Sequence, residues 1–450
     1  MHRCIKFFYI FLNPSGEFFP YLAPIVLEPE SSEKSGNFPL NLFQSFVNFF
    51  RDGIFSESLS LSFPNVYGME KSFVCPRCGN ADPRYIGYRN EKPYCRKCIS
   101  FSGREVQEKK KDTSFLRLSL SYPLSQEQEK ISKGVLKNLK AGHDSLIYAV
   151  TGAGKTELVY ASVEYVLKRN GNVGFAVPRR DVVLDLEPRF KSAFKGAKVV
   201  TVIGNHTKVL NGDILLLTTH QLYRYPRFFD LLILDEIDAF PYKGNSLLQK
   251  FTLESVKGNL VFMSATPGKE DFEWIKKRKG KVFTLNKRFH RHPLPVPVYK
   301  KSTYFPLLTG MKELKRLTDG GKQVFFFVPT IELGEKISPL ILLLVKGGAF
   351  VHSEDLRREE KISAFKEGRY RYLVTTSILE RGVTVKGLQV IVYGADHPLY
   401  TKETLIQIAG RAGRKKEEPD GEVLFIGRKD NEAIEGAIRE IQRLNREAGL

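Results

Sequence analysis

Lys155 and Thr156 close the run Ala149-Val150-Thr151-Gly152-Ala153-Gly154-Lys155-Thr156. An ammonium beside a hydroxyl, after small residues, suits a polyphosphate and its metal ion. Small side chains let backbone N–H groups curl around phosphate oxygens, and a helix starting at the loop adds the positive end of its dipole. Lys155 would reach the terminal phosphates, and the Thr156 hydroxyl would hold Mg²⁺. The flanks have the required order. Ser145-Leu146-Ile147-Tyr148 reads as a short buried strand, and Glu157-Leu158-Val159-Tyr160-Ala161 opens a helical pattern. Thr151, Gly152, Ala153 and Gly154 then cradle the phosphates. One position departs from the usual loop: Ala149 stands where the first glycine belongs.

Two more groups complete a phosphoryl-transfer set. The apolar run Leu231-Leu232-Ile233-Leu234 ends in Asp235-Glu236-Ile237-Asp238. Asp235 at a strand end can hold Mg²⁺, and Glu236 can activate the attacking water. Near the C-terminus, Gln407-Ile408-Ala409-Gly410-Arg411-Ala412-Gly413-Arg414 lies on a helical stretch. Arg411 and Arg414, three apart, share a helix face. Their delocalised guanidinium forks match the charge on a transferring γ-phosphoryl group.

A separate chemistry precedes the loop. Cys75-Pro76-Arg77-Cys78 is followed, after sixteen residues, by Cys95-Arg96-Lys97-Cys98. Two such knuckles present four thiolates, Cys75, Cys78, Cys95 and Cys98, to one tetrahedral Zn²⁺. The site is closed, so the reading is structural rather than catalytic. Arg77, Arg84, Arg89, Arg96 and Lys97 alternate with Tyr85, Tyr88 and Tyr94. These residues could touch nucleic acid, or they could be the solvated face of a metal-stapled spacer.

The elements that must position these groups are strands ending in polar turns. Val173-Gly174-Phe175-Ala176-Val177 ends at Pro178-Arg179, and Ile214-Leu215-Leu216-Leu217 ends at Thr218-Thr219-His220-Gln221. Leu260-Val261-Phe262-Met263 leads to Ser264-Ala265-Thr266, a hydroxyl turn suited to sensing the phosphate state. Four apolar strands with polar ends imply an α/β fold with a parallel sheet and one functional edge. A Pro-rich stretch, His292-Pro293-Leu294-Pro295-Val296-Pro297, marks a hinge over 291–310. A second α/β unit over 311–450 has strands at 324–328, 372–375 and 390–393, with Thr375-Thr376 at a strand end. The expected division is an N-terminal extension of unassigned role over 1–68, a four-cysteine zinc module over 69–104, a first α/β domain over 105–290, the hinge, and the second domain. Within the extension, Phe43, Phe46, Val47, Phe49 and Phe50 suit one short amphipathic helix. Met69 is a candidate true start.

The chain has 450 residues, enough for two or three full cores, and 42% hydrophobic with 27% charged residues reads as globular. Its net charge of +20 is unevenly placed: residues 1–68 contribute −2 and the rest +22. A strongly basic body implies a polyanionic partner, most simply nucleic acid. Four of five cysteines sit in one cluster, which fits a metal site in a reducing compartment better than a disulfide framework. The apolar start, residues 4–12, is too short to span a bilayer, and no cleavage-site pattern follows it, so secretion is not expected.

In this order and spacing the blocks resemble the superfamily 2 helicase core, two RecA-like domains with ATP between them, over about residues 115–450. The wording of the loop, of Thr218-Thr219-His220-Gln221-Leu222, of Asp235-Glu236-Ile237-Asp238-Ala239-Phe240-Pro241-Tyr242 and of Ile378-Leu379-Glu380-Arg381-Gly382-Val383-Thr384 is similar to the late competence protein ComFA family. A four-cysteine module directly before the motor is also a trait of that family. The resemblance implies a cytoplasmic ATPase, peripheral at the inner face of the membrane, that drives single-stranded DNA through the uptake channel during natural transformation. It implies ComFC, DprA and the channel as partners, and is compatible with an oligomer. It gives Gln128, placed 27 residues before Lys155, to the adenine edge. It adds Gln407 to the ATP-binding set, and makes Lys155, Asp235, Glu236, Arg411 and Arg414 catalytic. Pro178, Arg179, Thr219, His220, Thr375 and Thr376 become the grip on the nucleic-acid backbone. The rival readings are a PriA-like replication-restart helicase, a zinc-ribbon binding protein with a degenerate ATPase core, and an RNA motor.

Overall fold

The structure is a computed structural model and describes residues 9–12, 18–21, 73–99, 101, 103–109, 111–204, 207, 209–289, 292–377, 385–413 and 418–450. The chain divides into two units, Met1–Lys71 and Ser72–Leu450. In the first, strands β1 (Tyr9–Leu12) and β2 (Phe18–Tyr21) pair antiparallel. The helix expected over 43–50, residues 378–384 and Arg414 lie outside the described residues.

The second unit opens with a hairpin of β3 (Ile86–Arg89) and β4 (Lys92–Cys95). Asn90 and Glu91, the two residues between them, both have positive φ, as a tight two-residue hairpin turn requires. Helix α1 (Gln126–Lys140) follows. Its start is fixed locally: the Ser125 hydroxyl accepts from the Gln128 N–H, and the Gln128 side chain accepts from the Ser125 N–H. That reciprocal cap satisfies donors the helix cannot. Ile131, Val135 and Leu139 then form its buried stripe.

The first lobe alternates β5 (Ser145–Ala149), α2 (Tyr160–Leu167), β6 (Val173–Val177), α3 (Arg180–Ala193), β7 (Val199–Val202), β8 (Ile214–Thr218), β9 (Phe229–Asp235), α4 (Ser246–Ser255), β10 (Val256–Ser264), α5 (Lys269–Lys277) and β11 (Lys281–Leu285). Among the described residues its sheet has seven strands in the order β11-β5-β10-β9-β6-β8-β7, all parallel. Parallel strands need helical crossovers that cover both faces, which explains why β6, β8 and β9 are almost wholly apolar. The register aligns Met263 with Asp235 and Ser264 with Tyr148, so β10 lies between the loop strand and the carboxylate strand. Ligand sites in such sheets gather at these carboxyl ends.

The second lobe runs β12 (Val298–Lys301), α6 (Pro306–Asp319), β13 (Val324–Phe327), α7 (Ile331–Leu344), β14 (Gly348–Val351), α8 (Arg358–Lys366), β15 (Tyr372–Thr375), β16 (Gln389–Tyr393), α9 (Lys402–Ala409), β17 (Val423–Gly427) and α10 (Glu432–Glu447). Its sheet is also parallel, in the order β12-β17-β16-β13-β15-β14. In α10, Ile434, Ala437, Ile441 and Leu444 recur every three or four residues and are buried. The larger of these side chains contribute about 2 kcal/mol each on burial. The stretch expected as a hinge contains a strand: just past Pro297 it becomes β12 and joins the edge of the second sheet.

Candidate nucleotide site between the lobes

The loop after β5 is shaped by two glycines. Gly152 and Gly154 have φ of +83° and +75°, values that favour glycine. Ala149, in place of the usual first glycine, is the last residue of β5, paired in register with Leu285 and fully buried. No left-handed backbone is needed there, so alanine fits. A short 3-10 turn, Thr156–Val159, continues into α2.

Residues 151–156, Asp235, Glu236, Gln407 and Arg411 all line one cleft cavity of about 110 Å³. The first eight come from one lobe, and Gln407 and Arg411 come from the other. The Lys155 Nζ lies 3.9 Å from Asp235 Oδ1. Burial pushes the Asp235 carboxyl up, while Lys155 pulls it down and the neighbouring Glu236 adds to the rise. The Glu236 N–H donates to Asp235 Oδ1 at 2.8 Å, and Glu236 itself sits at φ +58°. A non-glycine residue in that region is uncommon and mildly strained. Here it turns the chain so that two consecutive carboxylates face the same cleft.

Gln128, expected at the adenine edge, touches the phosphate loop. Its amide Nε2 donates to the Ala153 carbonyl at 2.8 Å, while its Oε1 takes the Ser125 N–H. One N–H and one lone pair of the amide are thus used inside the protein, and they tie the start of α1 to the phosphate loop.

The four cysteines meet as well. Their sulfurs lie within 4.8 Å of one another, with Cys75–Cys98 at 3.9 Å and Cys78–Cys95 at 3.5 Å. A tetrahedron with Zn–S bonds of ~2.3 Å has S···S edges of about 3.8 Å, so the set fits one zinc ion. Burial and the facing sulfurs push the Cys98 thiol up, a repulsion that a cation relieves. The module rests on the first lobe. Phe101 packs edge-on against Tyr223 and Phe251 and stacks on His220 at 6.4 Å. Arg77 donates to the Phe101 carbonyl and lies over the Tyr223 ring.

The strand-end residues expected to grip nucleic acid divide into two groups. Thr219 and Thr375 are fully buried, backbone included. Pro178 and Thr376 are also buried, and His220 is half-buried against Phe101. Arg179 reaches across the lobes, its Nη1 donating to the Ser377 carbonyl at 3.3 Å. Beside it a groove of about 650 Å³ is lined by Arg179, Arg180, Phe240, Leu356, Arg357 and others.

Comparison with known proteins agrees with this layout. The family model described as "Type III restriction enzyme, res subunit" matches residues 121–269, and "Helicase conserved C-terminal domain" matches 309–416. The competence protein ComFA of Bacillus subtilis (strain 168) is 35% identical over 403 residues, 84% of this chain and 86% of that protein. The chain belongs to the ComFA family. The ComFA of Streptococcus pneumoniae is 37% identical over 72% of this chain and 77% of its own length. Among solved structures, yeast Dbp5 bound to RNA and ADP BeF3 superposes with a TM-score of 0.54, covering 72% of this chain and 92% of Dbp5, at 17% identity. That likeness establishes two RecA-like domains, and the family and domain matches make this ComFA-family chain a helicase-type ATPase.

Asp238, at the junction of the lobes, is one residue to which reading by motifs gives no role. Ser264 Oγ donates to its Oδ1 at 2.7 Å and Thr266 Oγ1 to its Oδ2 at 2.9 Å. Gln407 Nε2, from the second lobe, donates to the same Oδ2 and lies 3.4 Å from Thr266 Oγ1. The Ser264-Ala265-Thr266 turn thus works as a bracket that carries the second lobe's glutamine onto the carboxylate strand of the first. The only sequence signal was a second aspartate three residues after Asp235. Arg189 was equally silent: it lines the cleft from α3, holding the buried Glu157 at 2.7 Å, while the Tyr122 hydroxyl donates to the same carboxylate oxygen.

Proposed function

We propose that this chain is an ATP-driven motor that moves single-stranded DNA in competence. One observation carries the reading: Lys155, Thr156, Asp235 and Glu236 of the first lobe and Gln407 and Arg411 of the second face a single cavity. A site completed only when two lobes meet couples nucleotide state to lobe separation. Thr156 and Asp235 would hold Mg²⁺, which supplies charge neutralisation at the β- and γ-phosphates. Lys155 binds the terminal phosphates, Glu236 orients the attacking water and takes its proton, and Arg411 with Arg414 meets the charge developing on the γ-phosphoryl group. Strand-end loops at 178–181, 218–221 and 375–377 grip the backbone of one strand, and alternating grip moves the chain along it. The +22 carried by residues 69–450 supports a polyanionic track. The family resemblance adds ComFC, DprA and the uptake channel as partners.

The test is ATP hydrolysis by purified protein, alone and with single-stranded DNA, duplex DNA or RNA, with Lys155→Ala as control. Several-fold stimulation by single-stranded DNA only, declining as salt rises and absent from the variant, is the expected result. Equal stimulation by RNA would move the substrate to RNA. No stimulation by any nucleic acid would withdraw the motor reading.

The cysteine module would hold structural zinc through Cys75, Cys78, Cys95 and Cys98. A two-stranded hairpin is marginal by itself. Zinc binding to such a site is worth on the order of 10 kcal/mol at neutral pH. Metal analysis should find one zinc per chain, and a strong chelator should open 73–99 to proteolysis while the rest of the core persists. A metal-free preparation with the same protease resistance would remove the metal from the module. Among the described residues, no helix is long and apolar enough to cross a membrane.

A further inference from the structure

The segment joining the two lobes leaves β11 at Leu285 and enters β12 at Val298. Arg288 lies within it and is only 2% exposed, one of the largest fully buried side chains among the described residues. Its Nη1 donates to the Gly413 carbonyl at 2.7 Å, and its Nη2 donates to the carbonyls of Gly410 and Ala412 at 3.2 and 3.1 Å. Those three carbonyls belong to the turn that follows α9 and carries Arg411. They lie just past the last residue of α9, Ala409, where no helical N–H reaches them, and a cation suits that end of a helix. A planar guanidinium can hold three of them at once in a fixed relation, whereas an ammonium acts as a point charge.

The neighbouring residue faces the other way. The Phe289 N–H donates to the Gly152 carbonyl of the phosphate loop at 3.4 Å. Gly410 itself rests on that loop, since a Cβ there would fall 2.8 Å from Thr151 Cβ. Further on, the linker is fastened to the second lobe. Asn445 of α10 exchanges two hydrogen bonds with the Leu294 backbone, both at 2.8 Å. Two adjacent linker residues therefore connect the phosphate loop to the arginine turn.

We infer that Arg288 is a positioning residue for Arg411: through the carbonyls of Gly410, Ala412 and Gly413 it sets the height of the arginine turn over the phosphate loop. The inference rests on the reading of Arg411 as the group that meets the transferring phosphoryl. A displacement of about 1 Å at a reacting group can cost ~100-fold in rate.

The experiment compares Arg288→Met, Arg288→Lys, Arg411→Ala and the double variant Arg288→Met/Arg411→Ala. Steady-state ATP turnover, affinity for a fluorescent ATP analogue and the melting temperature are measured for each. Positioning predicts a fall in kcat of about 100-fold for Arg288→Met. Analogue affinity should be unchanged, Arg288→Lys should show a smaller loss, and the double variant should be no slower than Arg411→Ala. Arg288→Lys keeps the pocket filled and carries the test if Arg288→Met does not fold. Loss of turnover in Arg411→Ala with normal kcat in both Arg288 variants would overturn the inference alone. So would an additive loss in the double variant accompanied by weakened analogue binding, the mark of a merely structural role. Full turnover in Arg411→Ala would remove the reading of Arg411, and the inference with it.

Discussion

Arg411→Ala is expected to lower kcat for ATP by about 10³-fold or more, the scale set by arginine fingers in other phosphoryl-transfer sites. ATP affinity should change little. Arg411 is 5% exposed and borders the same cavity as Lys155, Asp235 and Glu236, but it belongs to the opposite lobe. The lobes therefore have to be together for it to act. Its effect should fall on the chemical step, because the charge it answers develops only as the γ-phosphoryl group transfers. Lysine should not restore the rate, since an ammonium lacks the planar fork. Single-turnover hydrolysis beside analogue binding separates the two effects. A kcat within tenfold of the parent would dismiss the finger role.

Glu236→Gln is the second large effect, a loss of about 10²–10⁴-fold in turnover, the usual contribution of a positioned general base. The substitution preserves shape and leaves the backbone able to keep φ +58° and its N–H bond to Asp235. Asp235, which would hold the metal, is then undisturbed. ATP and DNA should bind as before and the complex should stall, which filter binding and single-turnover assays would show. Normal turnover would take Glu236 out of the mechanism. Loss of ATP binding would mean that its carboxylate serves the nucleotide site as a whole.

Most of the framework was legible because it is local. The strands at 173–177, 214–217, 231–234 and 260–263 are runs of apolar residues with polar ends, and each became a parallel strand. Strands β7, β11 and β14 were not legible in the same way. They are short edge strands that keep exposed or half-exposed residues; threonine or lysine interrupts β7 and β11, and β14 is only four residues long. β17 is different: Val423-Leu424-Phe425-Ile426 is as apolar as any, and reading by motifs ends before it.

The sequence by itself determined the groupings carried within a few residues: the phosphate loop, the Asp235-Glu236 pair, the two cysteine knuckles and the arginine block. Each is a spacing along one strand end, turn or helix, which backbone geometry converts directly into a shared direction. Tertiary structure alone decided what these groups touch. It bonded Gln407 to Asp238 across 169 residues, set Arg288 under a turn 122 to 125 residues away, engaged the Gln128 amide inside the protein, and seated Phe101 on His220. The physical reason is that amides, carboxylates and guanidinium groups have no periodicity that announces their partners. Their partners are chosen by how two parallel sheets and one cysteine module pack, and only burial makes such polar pairs obligatory.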